Sequence, residues 1–243
     1  MNILFKDNSE QKMFVSDELK NVYPKFKKAG CYYIEYLKEY VNCQTIVLDA
    51  GCGGGGVVEI VKPIAKEIVG IDNNHSALYE NKIVNRKILA DLENIPLSDN
   101  SIDVITCDFV VEHLRKPELV FNEFNRVLKK GGVLIFLTPN VLNPIMMLSK
   151  ITPLRLHNFL IKNILKKQKQ AHNAFYRANT YTKLLSLAHS NNFEIKELIR
   201  VGNPEYIAFC KILARPAIHI EQIIDNKFLD WLKMYLVGNF IKI

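Results

Sequence analysis

The chain has 243 residues, 49% of them hydrophobic and 23% charged, with a formal net charge of +7, which supports a sizeable core and suits an α/β domain with elaborations. An early acid at Asp7 argues against a signal peptide, and the sequence has no apolar run long enough for a membrane-spanning helix, so a cytoplasmic location is expected. Cysteines at positions 31, 43, 52, 107 and 210 form no C-x-x-C pair and leave one over, which fits reduced thiols rather than a disulfide frame or a zinc site.

Residues 8 to 42 read as a helical cap with Tyr23, Phe26, Tyr32, Tyr33 and Tyr36; it either covers a ligand edge or packs onto the core. Strands are expected at 45–49, 67–71, 86–90, 102–107 and 133–138, alternating with helical stretches. This is the pattern of a right-handed, doubly wound parallel sheet. Pro117 to Lys130 reads as an amphipathic helix with Leu119, Phe121, Phe124, Val127 and Leu128 turned inward. After Leu137-Thr138-Pro139-Asn140, residues 141–178 interrupt the core as a helical insertion. At the carboxyl edge of the sheet, where open α/β sheets bind ligands, it is placed to be a substrate lid. Thr180 is the expected cap of a helix running through Lys183 to Ser190. Two strands, Phe193–Val201 and Glu205–Ala214, are then expected across Gly202-Asn203-Pro204. Residues 216–243 read as a packed helix carrying Ile218, Ile220, Ile223, Ile224, Phe228, Leu229 and Trp231, with a dimer contact or a membrane-facing surface as the alternative. One domain is therefore expected: a cap at 1–42, a ligand-binding core at 43–140, the lid at 141–178, the rest of the core at 179–214 and a helical tail at 215–243.

The most informative stretch is Thr45-Ile46-Val47-Leu48-Asp49-Ala50-Gly51-Cys52-Gly53-Gly54-Gly55-Gly56, an apolar strand ending in an acid and a glycine-dense turn. Glycines let a backbone approach a ligand closely. Gly51, Gly53 and Gly56 satisfy the dinucleotide spacing G-x-G-x-x-G, so spacing alone leaves two chemistries open. Asp49 favours one of them: a carboxylate two residues before the first glycine repels a pyrophosphate and suits a cationic, amine-bearing ligand.

At Val47 to Gly55 the chain resembles the class I S-adenosylmethionine-dependent methyltransferases, whose first motif runs V-L-D-x-G-x-G-x-G. The likeness continues through Ile68-Val69-Gly70-Ile71-Asp72, then Ile88-Leu89-Ala90-Asp91-Leu92, then Ser101 to Asp108. Glu112-His113-Leu114 and the Val127 to Gly132 turn extend it. The resemblance implies a Rossmann-like, mostly parallel sheet with an antiparallel last strand, and S-adenosyl-L-methionine as cofactor. It implies cofactor contacts from Asp49, Gly51, Cys52, Gly53, Asp72, Asn73, Asp91, Leu92 and Asp108. In these, Asp49 meets the cationic end, Asp72 the ribose hydroxyls and Asp91 the adenine amino group, with the amide after Asp91 at the ring. Cys52 also reads simply as a small, packable side chain within the turn. A nicotinamide-dependent oxidoreductase and a non-catalytic cofactor-binding module are the alternatives.

Methyl transfer to a hydroxyl is helped by a general base, and His113 is the candidate because imidazole titrates near neutrality and follows the fourth strand. His172 and Tyr176 in the insertion are rival polar groups. Expected acceptors are a small molecule or a glycan- or lipid-linked precursor, most readily at oxygen. Charge is uneven: residues 1–149 carry 17 Lys plus Arg against 19 Asp plus Glu, and residues 150–243 carry 15 against 6. Lys162, Lys166, Lys167 and Lys169 beside Leu160, Ile161, Ile164 and Leu165 read either as a solvated lid helix or as a contact with an anionic membrane. No aromatic-interleaved basic stripe supports nucleic-acid binding.

Overall fold

A computed structural model describes residues 8–151, 174–208 and 211–243. The helices, in chain order, are α1 (Asn8–Val22), α2 (Ala29–Tyr40), α3 (His75–Glu80), α4 (Pro117–Val127), α5 (Pro144–Ile151), α6 (Tyr181–Ser190), α7 (Pro204–Ile207) and α8 (Ala214–Ile224). The strands are β1 (Ile46–Ala50), β2 (Glu67–Asp72), β3 (Arg86–Leu89), β4 (Ile102–Asp108), β5 (Leu128–Pro139), β6 (Phe193–Val201) and β7 (Tyr235–Lys242). The described residues fall into two compact units, one within 30–139, 174–199 and 236–243, the other within 1–29, 140–173 and 200–235.

The first unit is built on a seven-stranded sheet of order β3-β2-β1-β4-β5-β7-β6. Strands β1 to β5 are parallel neighbours and the last strands run antiparallel, as the doubly wound reading requires. Val47, Leu48, Ile68, Val69 and Ile105 are buried, as befits strands covered on both faces. Tyr33 of α2 is 1% exposed and bonds Thr106, while Tyr36 is 6% exposed and bonds Glu197. These two tyrosines pack the cap helix onto the core. Thr180 caps α6 as expected, its hydroxyl accepting from the Lys183 amide at 3.2 Å.

Three readings of the sequence are corrected. The helix from Pro117 stops at Val127: Leu128 is extended, fully buried and pairs with Ile102 of β4. The inner face of α4 is Val120, Phe121, Phe124 and Val127, and Leu119, about half a helical turn away from Phe121 and Phe124, is 47% exposed. The segment expected as strand 205–214 is helical at Pro204–Ile207 and again from Lys211, because Pro204 at a first helical position is pre-set for a helix and removes a ladder donor. Its place in the sheet is taken by β7, drawn from the expected tail helix. Leu236 to Phe240 are all buried, so the strand shows no alternation to read.

In the second unit α1 packs with α7 and α8 through Val15, Ala208, Ala214 and Ala217, and Arg215 binds Glu18 at 2.7 Å. Asn140 and Asn143 pin the chain at 231–233 through their side-chain amides. Of the expected insertion, residues 141–151 and 174–178 are described, whereas the lysines at 162, 166, 167 and 169 and His172 lie outside the described residues. Among the described residues no helix is long and apolar enough to cross a membrane.

Gly238 of β7 lies flat on the Phe136 ring, which meets Phe240 edge-on at 5.0 Å, and a methyl group at 238 would overlap that ring. Gly238→Ala is expected to cost about 1–3 kcal/mol by overpacking and to lower the melting temperature by several degrees in a thermal scan. An unchanged melting temperature would show that β7 does not pack this tightly.

Candidate functional site

The strand order sets four acids along the carboxyl edge: Asp91 just beyond β3, Asp72 ending β2, Asp49 in β1 and Asp108 ending β4. Register ties them together. Asp49 lies opposite Gly70 and Thr106, and the Ala90 amide donates to the Asp72 carbonyl at 3.2 Å, which brings Asp91 alongside.

The glycine turn leaves β1 between these acids. The Gly51 and Cys52 amides both donate to the Ile71 carbonyl, at 2.8 and 3.1 Å. Gly51 has a φ of 72°, and a Cβ there would stand 2.6 Å from Val110, so a side chain is excluded twice over. Gly53, by contrast, faces open space with nothing within 4 Å of a Cβ position. Asp72 holds the turn from below, accepting from the Gly53 amide and the Asn74 amide at 2.7 Å each. Asn81, 1% exposed, donates to the carbonyls of Cys52 and Gly53 and accepts from the amides of Ile83 and Val84. Asn74 caps α3 through the Ala77 amide at 3.1 Å.

Of the four acids Asp49 is the one shut from water, with Asp72 and Asp108 half-buried and Asp91 exposed. Asp49 is 6% exposed, and burial, reinforced by Asp108 and Asp72, pushes its carboxyl up to about 7. Burial also lifts Glu112 to about 7 against the hydrogen bonds it receives, one of them from the Thr138 hydroxyl at 3.0 Å. Thr138 in turn accepts from the Asn179 amide at 2.6 Å. The Cys52 thiol is pushed up to about 12, first by burial and then by Asp49 and Asp72, so it is a packed, un-ionised group.

The remaining expected residues separate by environment. Asn73 is exposed, and Asp91 is exposed and accepts from the Glu93 amide at 2.9 Å, closing its own turn. The Leu92 side chain belongs to the core, leaving its backbone to face any ligand. His113 is half-buried at the end of the 3-10 turn Val111–His113. The amides of Phe175 and Tyr176 both donate to the Glu112 carbonyl, at 2.8 and 3.0 Å, so the backbone of Tyr176 is bonded to the residue preceding His113. Sequence reasoning had Glu112 only as part of the Glu112-His113-Leu114 likeness, without a role, and passed over Asn81 and the Thr138–Asn179 pair. An acid following Phe109-Val110-Val111 was the available signal for Glu112. Asn81 had none, since it acts through a fold-dependent contact.

Residues 48–136, from β1 into β5, match the family model described as a methyltransferase domain. Over 100 residues the chain is 35% identical to a "Probable S-adenosylmethionine-dependent methyltransferase" of Mycolicibacterium smegmatis, covering 39% of this chain and 38% of that one. It is 30% identical over 96 residues to malonyl-[acyl-carrier protein] O-methyltransferase of Yersinia pestis, covering 38% and 36%. The chain thus spans less than half the length of these curated relatives. Among solved structures, an S-adenosylmethionine-dependent methyltransferase from Mesorhizobium loti superposes with a TM-score of 0.60 at 16% identity, over 87% of this chain and 96% of that one. At that identity the likeness speaks for the fold.

Asp49 and Glu112 bind protons more tightly folded than unfolded, so each lowers stability as pH rises from the ordinary carboxylate range through about 7. Glu221, buried against Gly202 and also lifted to about 7 by burial, adds to the slope. The ligand-free protein should therefore melt at a higher temperature at about pH 5 than at about pH 8, and Asp49→Asn with Glu112→Gln should flatten most of the difference. A melting temperature that rises over this window in the unaltered protein would contradict the assignment.

Proposed function

With residues 48–136 identified as a class I methyltransferase domain, we propose that the chain binds S-adenosyl-L-methionine at the glycine turn and transfers its methyl group to an oxygen of a small-molecule acceptor. The observation that carries this reading is the open face of Gly53 set among Asp49, Asp72 and Asp108. When bound, the cofactor supplies a methyl group already activated by its sulfonium. A site with these acids suits a sulfonium and an ammonium, whereas a dinucleotide would have to lay a pyrophosphate on the same turn. Asp72 accepts from the Gly53 amide of the turn and from the Asn74 amide, a place that an acid also takes in dinucleotide sites, so the distinction rests on Asp49 and Asp91.

Within this reading Asp49 balances the cationic end, Asp72 accepts from the ribose hydroxyls with its remaining lone pairs, and Asp91 with the Leu92 amide reads the adenine. Alignment of acceptor, methyl and sulfur provides most of what an in-line displacement needs. His113 takes the acceptor proton, and Tyr176 and His172 are the further polar candidates. Relatives support oxygen as the target: besides the Yersinia pestis enzyme, a ubiquinone biosynthesis O-methyltransferase of Hydrogenovibrio crunogenus is 27% identical over 117 residues.

Calorimetry should show S-adenosylmethionine and its demethylated product binding while a nicotinamide dinucleotide gives no heat. Asp72→Ala should weaken both ligands at least tenfold, since charge-assisted hydrogen bonds contribute about 1.5–3 kcal/mol each. Absence of heat with either sulfur ligand would overturn the reading. With a panel of hydroxylated and carboxylated acceptors, His113→Ala should slow turnover by about a hundredfold at unchanged cofactor affinity. Normal turnover would make His113 structural, with His172→Ala and Tyr176→Phe the next variants to separate.

A further inference from the structure

Two residues beyond His113 stands Arg115, and the segment bonded to the Glu112 carbonyl continues to Arg177. The two arginines converge. Arg177 Nη1 donates to the Arg115 carbonyl at 2.7 Å, and the guanidinium carbons of Arg115 and Arg177 lie 5.5 and 5.8 Å from the centroid of the Phe175 ring. Both arginines are exposed, and neither has a carboxylate within salt-bridge distance among the described residues. The nearby acids are engaged by lysines: Glu93 by Lys116 at 3.4 Å, and Glu118, which also feels the field of Arg177, by Lys183 at 2.6 Å. Four cations against two acids leave an excess of two positive charges gathered on one aromatic ring.

Two like charges sharing one ring repel each other, and a solvated surface would ordinarily let such side chains spread apart. Here the Phe175 and Tyr176 amides are tied to Glu112, with Tyr176 in the left-handed region at φ 52°, and Arg177 is tied to the Arg115 carbonyl, so that both guanidiniums stay against one ring. A guanidinium fork matches the paired oxygens of a carboxylate or phosphate, and groups held in place before binding lose little entropy on capturing an anion. We propose that Arg115 and Arg177, ordered around Phe175, form an anion-binding site beside His113 that takes the carboxylate or phosphate group of the substrate. Building on the methyltransferase reading, the site makes the acceptor an anionic small molecule, held by its charged group two residues from the candidate base.

The test is calorimetric titration of the whole chain, saturated with the demethylated cofactor product, with malonate in one arm and inorganic pyrophosphate in the other. The unaltered protein should bind at least one of them at millimolar concentration or better, with affinity falling as salt is added; the stronger arm tells carboxylate from phosphate. Arg115→Gln and Arg177→Gln should each weaken that anion about tenfold, as the loss of a charge-assisted pair implies. Both variants should melt normally and keep the cofactor product's affinity. If neither anion binds, or both variants bind as the unaltered protein does, the anion site is overturned. If the anion binds but the cofactor product does not, the site stands and the methyltransferase reading falls.

Discussion

The structure turns on three acids gathered at one sheet edge, the middle one shut from water. Parallel strands deliver Asp72, Asp49 and Asp108 to one edge, and the sheet order leaves them nowhere else to go. Isolated carboxylates would face solvent there, but Asp49 is covered, and burial beside two other acids holds its proton to about pH 7. Each pH unit between the ordinary value and the raised one costs the folded state about 1.4 kcal/mol in the ionised form. On the proposed function, the arrival of a positively charged ligand at this edge would relieve that cost.

The surrounding residues make that edge rigid. Asp72 and Asn81 grip the glycine turn from two sides through backbone groups, so the open face at Gly53 is fixed rather than merely available. Tyr33, reaching down from α2 to Thr106, closes the sheet face that Asp49 shares with its register partner. On the far side of Asp108, the Glu112 turn carries His113 and receives the chain returning at Phe175. The proposed cofactor face and the proposed acceptor groups are thus joined through one short turn.

Much of this edge was legible in the residues. Strong apolar runs ending in acids or glycines, such as Val47 to Gly51 and Ile68 to Asp72, announce both the strand and its ligand end. The illegible parts share a physical cause, which is dependence on tertiary context. Strand β7 is buried on both faces and carries no alternation, so Tyr235 to Ile241 resembled a helix-forming tail. Leu119 is apolar yet exposed because α4 has room for only one inward stripe. Glu112 and Asn81 matter through what the fold brings to them, a buried threonine in one case and a glycine turn in the other.

The central claim is that Asp49 is a proton-holding acid waiting for a cation. It is tested most directly by following the Asp49 side-chain carboxyl carbon by NMR through a pH titration, first alone and then saturated with S-adenosylmethionine. The account predicts a midpoint near 7 in the ligand-free protein and a fall toward the ordinary carboxylate range once the sulfonium is bound. A midpoint unmoved by the ligand, or one already in the ordinary range without it, would contradict the account.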